Sequence, residues 1–98
     1  MIPFYLTIVT PEAVFFKGEV VSLVAPGESG SFGVLANHAP LISTIASGVF
    51  TLTTKDLTKK SYQIGEGFLD VLKNQVTLLT RSILESSLND TVEDRRSV

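Results

Sequence analysis

From Phe4 to Arg81 the chain is built of short runs with period-two alternation, cut by glycine and proline, with no helical crossover between them. Phe4, Leu6 and Ile8 alternate with Tyr5, Thr7 and Val9 until Pro11 ends the run. Further strands are expected over 20–25, 31–35, 41–46, 48–54, 61–64, 67–72 and 75–81. Gly18 in "FFKGE" marks a bend or bulge, Pro26 and Gly27 close the second strand, and Gly48 stands at a tight corner. "TKDLTKK" reads as a polar hairpin turn, and Lys73, Asn74 and Gln75 as another. In the last long strand Val76, Leu78 and Thr80 face one way while Thr77, Leu79 and Arg81 face the other. Many short strands without helices between them predict an all-β, two-sheet β-sandwich.

Ninety-eight residues suffice for one hydrophobic core and little more. Eight Lys and Arg against ten Asp and Glu leave a net charge of −2, which lacks the basic footprint of a protein that binds nucleic acid or an anionic membrane. With no cysteine there is no disulfide, thiolate ligand or cysteine nucleophile. The longest apolar run, Ala13–Phe16, is four residues, where a bilayer span takes about 20, so the sequence predicts a soluble, untargeted chain. Near Ile83 the composition changes, and the final "NDTVEDRRSV" holds five charged side chains. Residues 1–84 are expected to form the domain. Residues 85–98 are expected to form a tail or short helix, capped at Asn89 or Asp90 and prone to fray.

Between Ser29 and Thr54 there is no Asp, Glu, Lys or Arg, so this stretch is expected to be covered, by core or by partner. Within it, "GSFGVLANHAPL" carries the only histidine. Catalysis by His38 needs an orienting partner and a nucleophile. "GESGS" falls one residue short of the Gly-x-Ser-x-Gly elbow, because Gly30 follows Ser29 directly. A phosphate-binding P-loop needs Lys after its glycine, and Ser31 stands there. Glu12, Glu19, Glu28, Asp56, Glu66 and Asp70 show no metal-ligand spacing with His38. No catalytic residue, metal site or cofactor is therefore expected. The glycines read as turns, and His38 taken alone reads as a ring at a strand entrance bonded to nearby backbone.

"FKGEV", "GSFGVLANHAPLIS" and "IGEGFLDVLKNQVTLLT", in that order, resemble the epsilon subunits of F-type rotary ATP synthases, called delta in mitochondria. The resemblance runs from residue 4 to about 84. It rests most specifically on Gly30, Gly33, His38, Pro40 and Leu41, followed by Phe68, Asp70 and Val71 and then by Asn74, Val76 and Thr77.

The resemblance implies a noncatalytic sandwich of about ten strands, normally followed by a C-terminal helical hairpin. It implies a place at the foot of the central stalk, where ion-driven rotation of the c-ring is passed to the gamma subunit. Matching positions imply c-ring contacts at Glu28, Ser29, Gly30, Ser31, His38, Ala39 and Pro40, and gamma contacts at Thr10, His38 and Ser43. Membrane association is then only through the complex, at the cytoplasmic face of the bacterial inner membrane. The competing class is a stand-alone β-sandwich that binds some other protein.

Three departures from the family pattern alter these expectations. Ser29 and Ser31 stand where acidic residues are common, leaving Glu28 as the loop carboxylate. Ala36 replaces a proline, so the turn before His38 is less rigidly preset. The helical hairpin is largely missing, so neither inhibition by helix insertion nor nucleotide binding through that segment is expected.

Overall fold

The computed structural model of the chain describes residues 1–85, and the tail or helix expected over 85–98 lies outside them apart from Glu85. Nine strands are present among the described residues: β1 Phe4–Val9, β2 Val14–Gly27, β3 Gly30–Val34, β4 Leu41–Ile45, β5 Gly48–Thr54, β6 Lys59–Ile64, β7 Gly67–Leu72, β8 Gln75–Thr80 and β9 Ile83–Glu85. No described segment is helical.

One layer runs β4-β7-β8-β1 and ends on the first half of β2; only the β1–β8 pairing in it is parallel. The other layer runs β3-β2-β5-β6-β9, all antiparallel. The fourteen-residue β2 therefore belongs to both layers, and at its end Gly27 pairs with Ile45 of β4, closing the first layer on itself. Counted once in each layer, β2 brings the nine strands to the ten segments expected of the sandwich.

The strand expected at 20–25 extends over 14–27, and Gly18 does not break it, because it pairs in register with Leu6. The irregularities fall instead at Ile8/Val9 in the β1–β2 pairing and at Val20/Ser22 in the β2–β5 pairing. Placed where β2 passes from one layer to the other, the second of these supplies the local twist that a straight ladder lacks. β6 begins two residues earlier than expected, at Lys59, and β9 is an addition, pairing Ile83–Glu85 with Tyr62–Ile64. The β7–β8 turn contains two residues, Lys73 and Asn74, with φ of 50° and 61°. Two consecutive positive φ values match the strand twist as a type I′ turn does.

Alternation in β1, β7 and β8 sends Phe4, Leu6, Ile8, Leu69, Val71, Val76 and Leu78 into the core, where they meet Leu23, Phe50, Leu52 and Ile64 from the other layer. Each fully buried side chain of this size contributes about 1.5–3 kcal/mol of transfer free energy. Thr80 continues the inward row of β8 and is buried, with its hydroxyl donating to the carbonyl of Gly65 at 2.8 Å.

Gly67, paired with Thr80 at the start of β7, is fixed by close approach: a Cβ there would lie 1.8 Å from the carbonyl oxygen of Leu79. Because the obstruction is backbone, it can be relieved only by parting β7 from β8. Gly67→Ala is expected to destabilise the fold by on the order of 3 kcal/mol, read as a lower denaturant midpoint in equilibrium unfolding.

Candidate docking surfaces

Residues paired across neighbouring strands present their side chains on the same face. Across the first layer the register Thr44–Phe68–Leu79–Val9–Val14 forms one such row on the face away from the core. Next to it runs Ile42–Asp70–Thr77–Thr7–Lys17. Ile42 is 75% exposed, Val14 56%, Phe68 53% and Leu79 46%. Large apolar side chains are thus gathered on one solvent-facing sheet surface, where an isolated domain normally shows polar residues. At one border, Phe68 and Leu79 line an open groove of about 400 Å³ with Val9, Thr10, Pro11 and Arg81.

The charge-free stretch is core only in part, at Val34, Ile45, Phe50 and Leu52. From Gly30 to Leu41 only Val34 is buried, and Leu35 is among the exposed apolar side chains. Of the two covers that the sequence left open, the protein interior is therefore excluded for most of this segment.

The sequence-expected contact residues fall in three places. Glu28 and Ser29 form the β2–β3 turn, and with Gly30, Ser31, Ser43 and Thr44 they line a polar groove of about 390 Å³. His38, Ala39 and Pro40 lie in the connection from β3 to β4, at the other end of β3. Thr10 lies in the β1–β2 turn, where its hydroxyl bonds Ala13 through the carbonyl (3.2 Å) and the amide (3.3 Å). Ser43 pairs with Leu69 and so belongs to the inward row, with its hydroxyl donating to the carbonyl of Thr44 at 3.0 Å. The structure brings Ser43 to the Glu28–Ser31 groove and keeps Thr10 and His38 at opposite ends of the β1–β8–β7 sheet.

His38 is half-buried, and its Nδ1 lies 2.7 Å from the carbonyl oxygen of Ala39. A carbonyl can only accept, so Nδ1 carries the hydrogen. This is the backbone-bonded ring that the sequence allowed. Beside it, Asn37 bonds Asn74 in the β7–β8 turn, a contact across 37 residues with no local sequence signal. The apolar outer row was also missed as a row, although Phe68 beside inward Leu69, and Leu79 beside inward Leu78, carried the signal of a strand apolar on both faces.

A wide concavity of about 840 Å³, open to solvent, lies between Tyr5, Gly18 and Glu19 on one side and Thr54, Lys55 and Asp56 on the other. Three of its four charged side chains, Glu19, Lys55 and Asp56, bond within the fold. Lys55 Nζ pairs with Glu19 Oε1 at 2.9 Å, and Asp56 accepts from the Thr54 hydroxyl within the β5–β6 turn. The Thr54 hydroxyl first, and then Thr58, hold the Asp56 carboxyl below the usual aspartate range. Among the described residues no three His, Asp or Glu side chains are grouped so as to hold a metal ion, and no helix is long and apolar enough to cross a membrane.

The sandwich thus carries exposed apolar side chains on one outer sheet face and a histidine bonded to its own backbone. The profile of the ATP synthase delta/epsilon chain β-sandwich domain matches residues 3–86. The chain belongs to this family. The ATP synthase epsilon chain of Chlorobium limicola is 44% identical over 80 residues, covering 82% of this chain and 91% of that relative. That of Caulobacter vibrioides is 41% identical, covering 89% of this chain and all of the relative. A chain of the Euglena gracilis mitochondrial ATP synthase, solved as the OSCP/F1/c-ring assembly, superposes with a TM-score of 0.81 at 21% identity, covering 97% of this chain and 64% of its own. One from the Tetrahymena thermophila central stalk and c-ring superposes with a TM-score of 0.68 at 14% identity, covering 82% and 64%. At those identities the two structures establish the fold. Epsilon chains are stalk subunits and not catalytic ones, so the delta/epsilon domain is a noncatalytic part of its complex.

The Asp56 bonds give a pH-dependent prediction. A carboxyl whose folded pKa is depressed adds stability above its unfolded pKa and loses it as pH falls through the folded value. The thermal midpoint of the unaltered domain should therefore exceed that of Asp56→Asn at neutral pH, and the difference should close as pH is lowered below the usual aspartate range.

Proposed function

We propose that this chain is a rotor subunit that joins the c-ring of an ATP synthase to the gamma subunit, so that ion flow through the ring turns gamma during ATP synthesis. The observation that carries the reading is the exposed apolar row Phe68–Leu79–Val9–Val14 with Ile42 beside it. A subunit that transmits torque needs a stiff body and a contact that does not slip. Sheet pairing on both sides of β2 supplies the stiffness, and a broad apolar face supplies an area that water leaves on docking.

In this reading gamma covers the outer face of β4, β7, β8 and β1, between Thr10 at one end and His38 at the other, with Ser43 at the β4 edge. The ring takes the Glu28–Ser31 turn and the His38–Pro40 segment. Glu28 is the one charged side chain of the polar groove, and a polar ring loop with a basic residue complements it. The domain reaches the membrane only through the assembled complex, at the cytoplasmic face of the bacterial inner membrane.

Placing a charge in the middle of the row tests the assignment. Phe68→Asp is expected to weaken binding to isolated gamma by about a hundredfold, the loss typical of a central interface anchor. Its unfolding midpoint should stay near that of the unaltered chain, because Phe68 already faces solvent. Lys59→Glu, on the opposite layer, is expected to leave binding unchanged. Equal affinity of Phe68→Asp and the unaltered chain for gamma would refute this face as the contact. Failure of the unaltered chain to bind either gamma or the ring would favour a stand-alone binding module.

A further inference from the structure

The connection Leu35–Pro40 joins β3 to β4 without a strand partner of its own, yet it carries His38, Ala39 and Pro40. Ala36 packs against the core, and one set of side-chain hydrogen bonds ties the residues beside His38 to the sheet. The Asn37 backbone N–H donates to Asn74 Oδ1 at 2.6 Å, and Asn74 Nδ2 donates back to Asn37 Oδ1 at 3.1 Å. The Asn74 carbonyl in turn accepts from the Tyr5 amide at 3.0 Å. Asn74 therefore joins the first residues of β1, the β7–β8 turn and the His38 connection at a single point.

Both asparagines occupy the left-handed region, with φ of 65° at Asn37 and 61° at Asn74. Asparagine is one of the few side chains that adopts this conformation readily. At Asn37 the consequence is directional, because its dihedrals set where the next residue, His38, leaves the turn. The sheet has no need of the clamp: β4, β7 and β8 are held by their own ladders from Leu41 to Ile45 and from Gly67 to Thr80. What the amide pair restrains is only the unpaired connection.

We propose that Asn37 and Asn74 are a positioning pair that fixes the His38–Pro40 segment in the geometry its stalk partner recognises. The proposal rests on the reading that His38, at the head of this segment, meets gamma as well as the ring. It assigns Asn74, which stands in a turn remote in sequence from the docking segment, a part in partner recognition through its side chain and not through contact with the partner. With the connection held, gamma meets a preordered edge. With the clamp open, the ordering has to occur on binding, and affinity falls.

Glycine keeps the left-handed backbone and deletes the amide, so Asn37→Gly and Asn74→Gly in the full chain are the informative variants. Titration calorimetry against isolated gamma is expected to show an affinity loss of about tenfold for Asn74→Gly, which removes both bonds, and a smaller one for Asn37→Gly, whose backbone N–H still meets Asn74 Oδ1. The double variant is expected to be no weaker than Asn74→Gly alone, because once the Asn74 amide is gone Asn37 has nothing left to bond. Asn74→Asp, which keeps the acceptor for the Asn37 amide and loses the donor, should fall between Asn74→Gly and the unaltered chain. Hydrogen exchange of the amides in 35–39 should quicken in the glycine variants while exchange within β7 and β8 stays as it was. Binding by the unaltered chain that neither glycine substitution weakens overturns the positioning role alone, as do losses that simply multiply in the double variant. Absence of binding by the unaltered chain overturns the stalk reading itself, and the positioning role with it.

Discussion

β2 hydrogen-bonds to β1 through Val14–Val20, to β5 and β3 through Val20–Gly27, and to β4 at Gly27. Four of the other eight strands thus find their register on one segment, and both layers inherit their orientation from it. A strand shared in this way has to twist and bend between its two roles, and the irregular pairing at Val20/Ser22 is where that happens. A hinge between the layers would require this strand to break, and neither layer can rotate on the other without losing its ladder. The stiffness that a rotating stalk demands follows from connectivity before any side chain is considered.

The same connectivity explains why the apolar outer row can exist without endangering the core. The inward residues Leu6, Ile8, Leu69, Val71, Val76 and Leu78 are committed by the period of two, and a slip of one position would exchange them with Phe68, Leu79 and Val9. With apolar side chains on both faces, alternation alone specifies the register weakly. The glycine at position 67, which admits the Leu79 carbonyl, and the two-residue turn at Lys73–Asn74 lock β7 to β8 from both ends. An exposed apolar face is tolerable here because register is set by backbone geometry as well as by hydrophobicity.

The strands with clean alternation, β1, β7 and β8, were legible from the sequence nearly to the residue, and the all-β sandwich followed from them. The first half of β2 was not, because Val14–Phe16 gives no alternation and Gly18 imitates a break, whereas its pairing partner Leu6 lies twelve positions away. β9 escaped for a related reason: three residues next to a change in composition carry too little local signal, and only the edge of β6 makes them a strand. At the candidate surfaces, the absence of charge from Ser29 to Thr54 pointed to cover without saying which kind, and only the exposure of Ile42 and Leu35 excludes the core for them. The backbone-bonded ring that the residues around His38 allowed is present, with Nδ1 bonded to the Ala39 carbonyl.

These constraints bear on how contacts so far apart can act together. The Glu28–Ser31 turn follows directly from β2, the β1–β2 turn holding Thr10 precedes it, and the connection holding His38 is tied through Asn74 to β1, which β2 also pairs. Each surface is attached to β2 by at most one intervening strand. A force applied at the polar groove is carried to the apolar face through hydrogen-bonded ladders loaded along their strands, not through loops that could stretch. Stiffness alone, however, would transmit load at whatever geometry the unpaired segments happened to adopt. The Asn37–Asn74 clamp extends the ladder network into the β3–β4 connection, so the edge bearing His38 moves with the sheet and not behind it.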